Sequence, residues 1–128
     1  MAWLNLMIAL TLLQAIVFSV LVGRARGKYG VKAPATSGHE MFDRYYRVQM
    51  NTLELMVVLL PAAYLAVGAL SAETVAVAVA VYLVGRILYL RGYVTDPSKR
   101  EIGFVLSMLP ALVLVVAALW GNVRTLLG

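Results

Sequence analysis

Arg47, Asn51 and Glu54 stand at i, i+4 and i+7 in the stretch YRVQMNTLELM, Tyr46 to Met56. On an α-helix that spacing sets a guanidinium, a carboxamide and a carboxylate on one face over two turns. Gln49 falls roughly 200° around the same helix from Arg47 and faces elsewhere, toward a neighbouring subunit if there is one. Farther on, Tyr82, Arg86, Tyr89 and Tyr93 follow at i, i+4, i+7 and i+11 and make a second stripe. A third cluster is DPSKRE, Asp96 to Glu101. Asp96 suits a helix N-cap and Pro97 a first helical position. That reading puts Lys99 and Arg100 in a first turn, where the helix dipole disfavours cations and a nearby anion would offset the cost. The three clusters together offer several guanidiniums, one carboxylate, amide donors and two phenols. The ligand they match is small, with more than one negative charge and one ammonium.

The chain that must position these groups is strongly apolar. Of its 128 residues, 62% are hydrophobic, against about 45–50% in a soluble domain. The excess has to face something other than water, and residues 1–128 fit one bilayer-embedded domain. There is no cysteine, which excludes disulfides, zinc-thiolate sites and a cysteine nucleophile. The single histidine, His39, cannot build a histidine-based metal site, so no metal is expected. The formal charge of +5 is carried mostly by two clusters between apolar runs. That is a pattern of membrane topology rather than of nucleic-acid binding.

Four runs read as spanning helices: Trp3 to Gly23, then about Arg47 to Leu70, Thr74 to Tyr93 and Ile102 to Trp120. Each is near the ~20 residues that cross ~30 Å of hydrocarbon, where a backbone can satisfy itself only as helix. The first lacks a basic leading segment and a convincing cleavage site, so it reads as a retained helix. Pro61 and Pro110 fall inside two of the runs and predict kinks. The first loop carries Arg24, Arg26, Lys28, Lys32 and Arg44, and the third carries Lys99 and Arg100 after Arg91. The turn between the second and third runs carries only Glu73. The positive-inside rule therefore places the first and third loops in the cytoplasm and both termini on the opposite side.

Each polar group also has a plainer reading. Arg24, Arg26, Lys28, Lys32 and Arg100 could serve as topology charges, and Tyr89 and Tyr93 as interfacial belt residues. Arg86 and Glu54 could form a structural ion pair between helices. What favours a site is the shared spacing within each helix and the shared depth. Ionisable groups in spanning helices are functional candidates by default.

Read as a whole, the sequence resembles the MAPEG family, the membrane-associated proteins of eicosanoid and glutathione metabolism. The resemblance rests on RVQMNTLE (Arg47–Glu54), GRILYLRGY (Gly85–Tyr93), DPSKR (Asp96–Arg100) and ARGKYGVKAP (Ala25–Pro34). The last three look most like the branch of the third microsomal glutathione transferase and the leukotriene synthases. Leu55 and Met56 stand where several members have a tyrosine, and Gly27 where several have a base. The resemblance implies a four-helix subunit assembled as a homotrimer, with glutathione held between subunits near the cytoplasmic face. By position it implies Arg47, Asn51, Glu54, Tyr89, Tyr93 and Arg26 as glutathione ligands, with Gln49 an additional one. It implies Arg100 as the residue that holds the glutathione thiolate. The expected activity is a glutathione-dependent transferase or peroxidase acting on lipophilic electrophiles that arrive from the membrane. The alternative is a non-catalytic member that binds or presents lipid. A small four-helix drug exporter fits poorly, because the first helix carries no acid. The short chain, without a retrieval signal, points to a bacterial inner membrane.

Overall fold

Long apolar runs leave their backbone groups no partner but one another, and here every run resolves as helix. The computed structural model describes residues 1–128. Its elements are α1 (Ala2–Tyr29), α2 (Glu40–Ala66), α3 (Ala72–Thr95), a short 3-10 turn (Pro97–Arg100) and α4 (Glu101–Leu127). All four helices are long and apolar enough to cross a membrane.

The helices overrun the apolar segments at the end where the polar residues gather. α1 continues past Gly23 to Tyr29 and stops at Gly30, whose left-handed backbone (φ 69°) sends its N–H to the Arg26 carbonyl. α2 starts at Glu40 rather than at Arg47, because His39 caps it: the ring Nδ1 accepts from the Met41 N–H at 3.1 Å. Glu40 and Asp43 then complement the dipole of its first turn. Hydropathy alone misses these polar turns, since they extend beyond the hydrocarbon. At the other end α2 stops at Ala66, short of Leu70, where Gly68 (φ 113°) turns the chain into α3. Pro61 and Pro110 lie inside α2 and α4, and both helices continue through them.

A core of aliphatic side chains joins α1, α2, α3 and α4, with Leu4, Leu59, Val75, Val79 and Leu114 among its members. Only 28 of 128 residues are buried, while large apolar side chains such as Val57, Tyr64, Val77, Ile102 and Leu119 face outward. Lipid is the medium in which such a surface is stable. α3 and α4 approach most closely, and small residues permit it. A Cβ on Gly103 would stand on the Tyr89 backbone, and one on Gly85 would lie 2.8 Å from the Ser107 nitrogen. Small residues at helix contacts are how spanning helices pack without a hydrophobic driving force between them.

Two arginines of the first basic cluster hold the polar end together. Arg26 lies over the Phe42 ring, 4.8 Å from its centroid, and its Nη1 donates to the carbonyls of Val31 (3.3 Å) and Ala35 (2.7 Å). It ties the first loop to the helices it connects. Arg44 of α2 donates to the Val94 carbonyl at 3.0 Å and pairs with Glu40. α3 has no basic residue in its own last turn, so Arg44 supplies the cation that its C-terminus favours.

Candidate functional site

The start of α2, the end of α3 and the 3-10 turn meet at one end of the bundle. Between them lies a cleft of about 330 Å³ lined by Arg47, Met50, Asn51, Glu54, Tyr89, Tyr93 and Arg100. Six of these seven were expected from spacing or resemblance. The seventh, Met50, stands one turn from both Arg47 and Glu54 on the same helical face. It gave no signal because methionine in an apolar run is ordinary. The volume lies at the small end of the ~300–1,000 Å³ range of ligand sites. A second, wider cleft of about 490 Å³ shares Arg47 and Tyr93 with the first and opens beside His39, Asp43 and Arg44.

Arg26 and Gln49 do not line the first cleft. Arg26 is engaged with its own loop as described above, and Gln49 is half-buried on another face of α2.

Arg100 differs from its sequence reading. It is not in the first turn of α4 but at the junction before it, as the last residue of the 3-10 turn. Asp96 caps that turn rather than α4 itself, its carboxylate accepting from the Ser98 N–H at 3.1 Å. The Ser98 backbone donor, aided by the Ser98 side chain and nearby Lys99 and Arg44, holds the Asp96 carboxyl below the usual aspartate range. The turn directs the Arg100 guanidinium over Tyr93, 5.4 Å from the ring centroid, with a long bond to the Pro97 carbonyl (3.4 Å). A carbonyl and a phenol face therefore share in holding this cation, where a first-turn position would call for a nearby anion.

Arg86 does not pair with Glu54. It is fully buried, and three neutral oxygens receive its guanidinium. Nε donates to Ser107 Oγ at 2.8 Å, and Nη1 donates to Asn51 Oδ1 at 2.8 Å and Thr52 Oγ1 at 3.2 Å. Its Cζ lies over the Tyr89 ring, 4.3 Å from the centroid. Thr52 and Ser107 were not singled out from the sequence. Each is oriented by donating to a carbonyl one turn back, Thr52 to Val48 and Ser107 to Gly103, which leaves its oxygen free to accept. Glu54 is thereby left as the one carboxylate of the cleft, exposed and without an ion-pair partner in the chain.

Chemically the cleft can clamp an anion between Arg47 and Arg100, receive an ammonium at Glu54 and donate from Tyr89, Tyr93 and Asn51. No group of three or more His, Asp or Glu side chains converges on a metal position.

Comparison with known proteins gives the setting for this cleft. The chain is 45% identical over 117 residues to an uncharacterized protein of Synechocystis sp., covering 91% of this chain and 85% of that one. It is 35% identical over 91 residues to human microsomal glutathione S-transferase 2, covering 71% of this chain and 62% of the human protein. It is 35% identical over 89 residues to bovine leukotriene C4 synthase, covering 70% of this chain and 59% of that enzyme. The chain thus spans less than two thirds of the length of the latter two. The MAPEG family profile matches residues 4–120, so nearly every residue of the four-helix bundle, cleft included, falls inside the match, and the chain belongs to that family.

Proposed function

We propose that this protein is a membrane glutathione transferase, with peroxidase turnover as a variant of the same thiol chemistry, acting on lipophilic electrophiles. The carrying observation is that residues from two helices and the 3-10 turn, each complementary to one part of a zwitterionic tripeptide thiol, line one cleft. Glutathione has two carboxylates, one ammonium and one thiol. Arg47 and the phenols of Tyr89 and Tyr93 suit the carboxylates, and Glu54 suits the ammonium. Arg100 is left to face the sulfur. A free thiol of pKa ~8.5 is only a few per cent thiolate at pH 7, and a nearby guanidinium favours the ionised form. The thiolate forms a bond to the electrophilic carbon, whose leaving group departs with the displaced electron pair. The electrophile enters from the lipid-facing side of the helices.

The whole chain acts as one domain in this reading, and three copies complete the site. Arg26 and Gln49, which lie off the cleft of their own subunit, are free to reach a neighbour's cleft at a subunit boundary. Two of the three Arg26 guanidinium nitrogens, Nε and Nη2, are open to that role, since only Nη1 is engaged. The cleft end faces the cytoplasm of a bacterial cell, and both termini face the other side of its inner membrane. The basic loops at the cleft end support that orientation.

The test is calorimetric titration of the detergent-solubilised protein with glutathione, beside the Glu54→Gln variant. Losing a hydrogen bond between charged groups costs about 1.5–3 kcal/mol, a fall in affinity of roughly 10- to 150-fold. Unchanged affinity removes Glu54 from the site. Turnover of an activated aryl halide then separates a transferase from a member that binds without catalysis.

A further inference from the structure

Arg86 is a cation inside a spanning helix with no carboxylate against it. Its guanidinium is met by Ser107, Asn51 and Thr52, and by the ring of Tyr89, while Nη2 is buried without a partner. Two of these neighbours, Asn51 and Tyr89, line the glutathione cleft proposed above, although Arg86 itself does not. A guanidinium only donates. The Asn51 amide must therefore turn its oxygen inward to Arg86, and its NH2 is the group left over. That NH2 makes no hydrogen bond within the chain and is not among the buried atoms that lack one.

We infer that Arg86 is a positioning residue for ligand binding: it fixes the Asn51 amide so that the cleft presents a donor there, and so selects a carboxylate or carbonyl oxygen. Without Arg86 an asparagine is ambiguous, because either end of the amide can face a ligand. With it, one orientation is enforced by a bond that the membrane interior makes hard to exchange for water. The same guanidinium lies against the Tyr89 ring and limits where that phenol can stand. The alternative is that Arg86 only clamps α2, α3 and α4 together through Thr52 and Ser107. The two roles use different partners, so they can be separated.

The inference rests on the glutathione reading, and titration of the unaltered protein with glutathione tests that first: absence of binding overturns both. Given binding, three variants decide. Ser107→Ala removes a helix clamp and leaves the Asn51 contact; it should lower the melting temperature and keep affinity within about twofold. Arg86→Met keeps length and removes the donor, and apolar replacements of buried charges are often tolerated. It should weaken glutathione at least tenfold. Affinity within twofold in a folded Arg86→Met protein overturns the inference. Should Arg86→Met fail to fold, Asn51→Asp decides alone. It gives Arg86 a charged partner, so the melting temperature should hold or rise, while an oxygen replaces the donor in the cleft. Affinity should then fall at least tenfold, and an Asn51→Asp protein that binds glutathione like the original overturns the inference.

Discussion

Replacing Arg100 by alanine removes the one cation that the 3-10 turn delivers to the cleft. The guanidinium lies 5.4 Å from the Tyr93 ring, and its side chain is exposed at the mouth. A thiolate seated about 6 Å from it gains ~0.7 kcal/mol at a dielectric of 80 and ~2.8 kcal/mol at an effective 20. Those limits lower the thiol pKa by about 0.5 to 2 units from ~8.5. At pH 7 the thiolate share then rises from about 3% to between roughly 9% and 76%. Arg100→Ala should reverse this, cutting the bound thiolate about 3- to 25-fold at pH 7. Glutathione affinity should change little, because Arg47, Glu54 and the tyrosines remain. The assay is the ultraviolet absorbance of the thiolate of bound glutathione, titrated against pH in both proteins, with turnover followed in parallel. The acid limb of the rate profile should move to higher pH by the same interval as the thiolate signal. If the bound thiol titrates at the same pH with and without Arg100, the residue is a topology charge and the catalytic assignment fails.

Other outcomes follow from the packing and the termini of the elements. Gly103→Val should destabilise the bundle by about 1–3 kcal/mol or prevent assembly, since its side chain would enter the Tyr89 backbone; thermal unfolding in detergent reads this. Asp96 is held below its ordinary pKa by Ser98, so its contribution to the 3-10 turn is present above about pH 3.9 and is lost as pH falls through the lowered value. Asp96→Asn should remove that acid dependence, checked by melting temperature across pH 2–5. The mass of the intact complex in detergent should be three times the 13.9 kDa subunit. A monomer that still binds glutathione excludes a site completed between subunits.

Composition and the lengths of four apolar runs were enough to establish helices that cross a membrane, because lipid leaves the backbone no other way to satisfy its polar groups. Spacing alone brought Arg47, Asn51 and Glu54 onto one face, since helical periodicity is a local property. The helix ends were not legible in hydropathy. α2 begins at a histidine cap and runs through polar turns outside the hydrocarbon, where apolar content carries no signal. Nor could spacing decide which of two helices' polar groups meet. Glu54 and Arg86 looked like a pair by charge, yet the turn offset between α2 and α3 sets Asn51 and Thr52, not Glu54, against the guanidinium. Gly103 and Ser107 on α4 let the third helix come close enough for the Arg86 Nε to find its acceptor in Ser107. Partner choice across helices depends on register and interhelical distance, and those are settled by small residues at the contact, far in sequence from the groups they bring together.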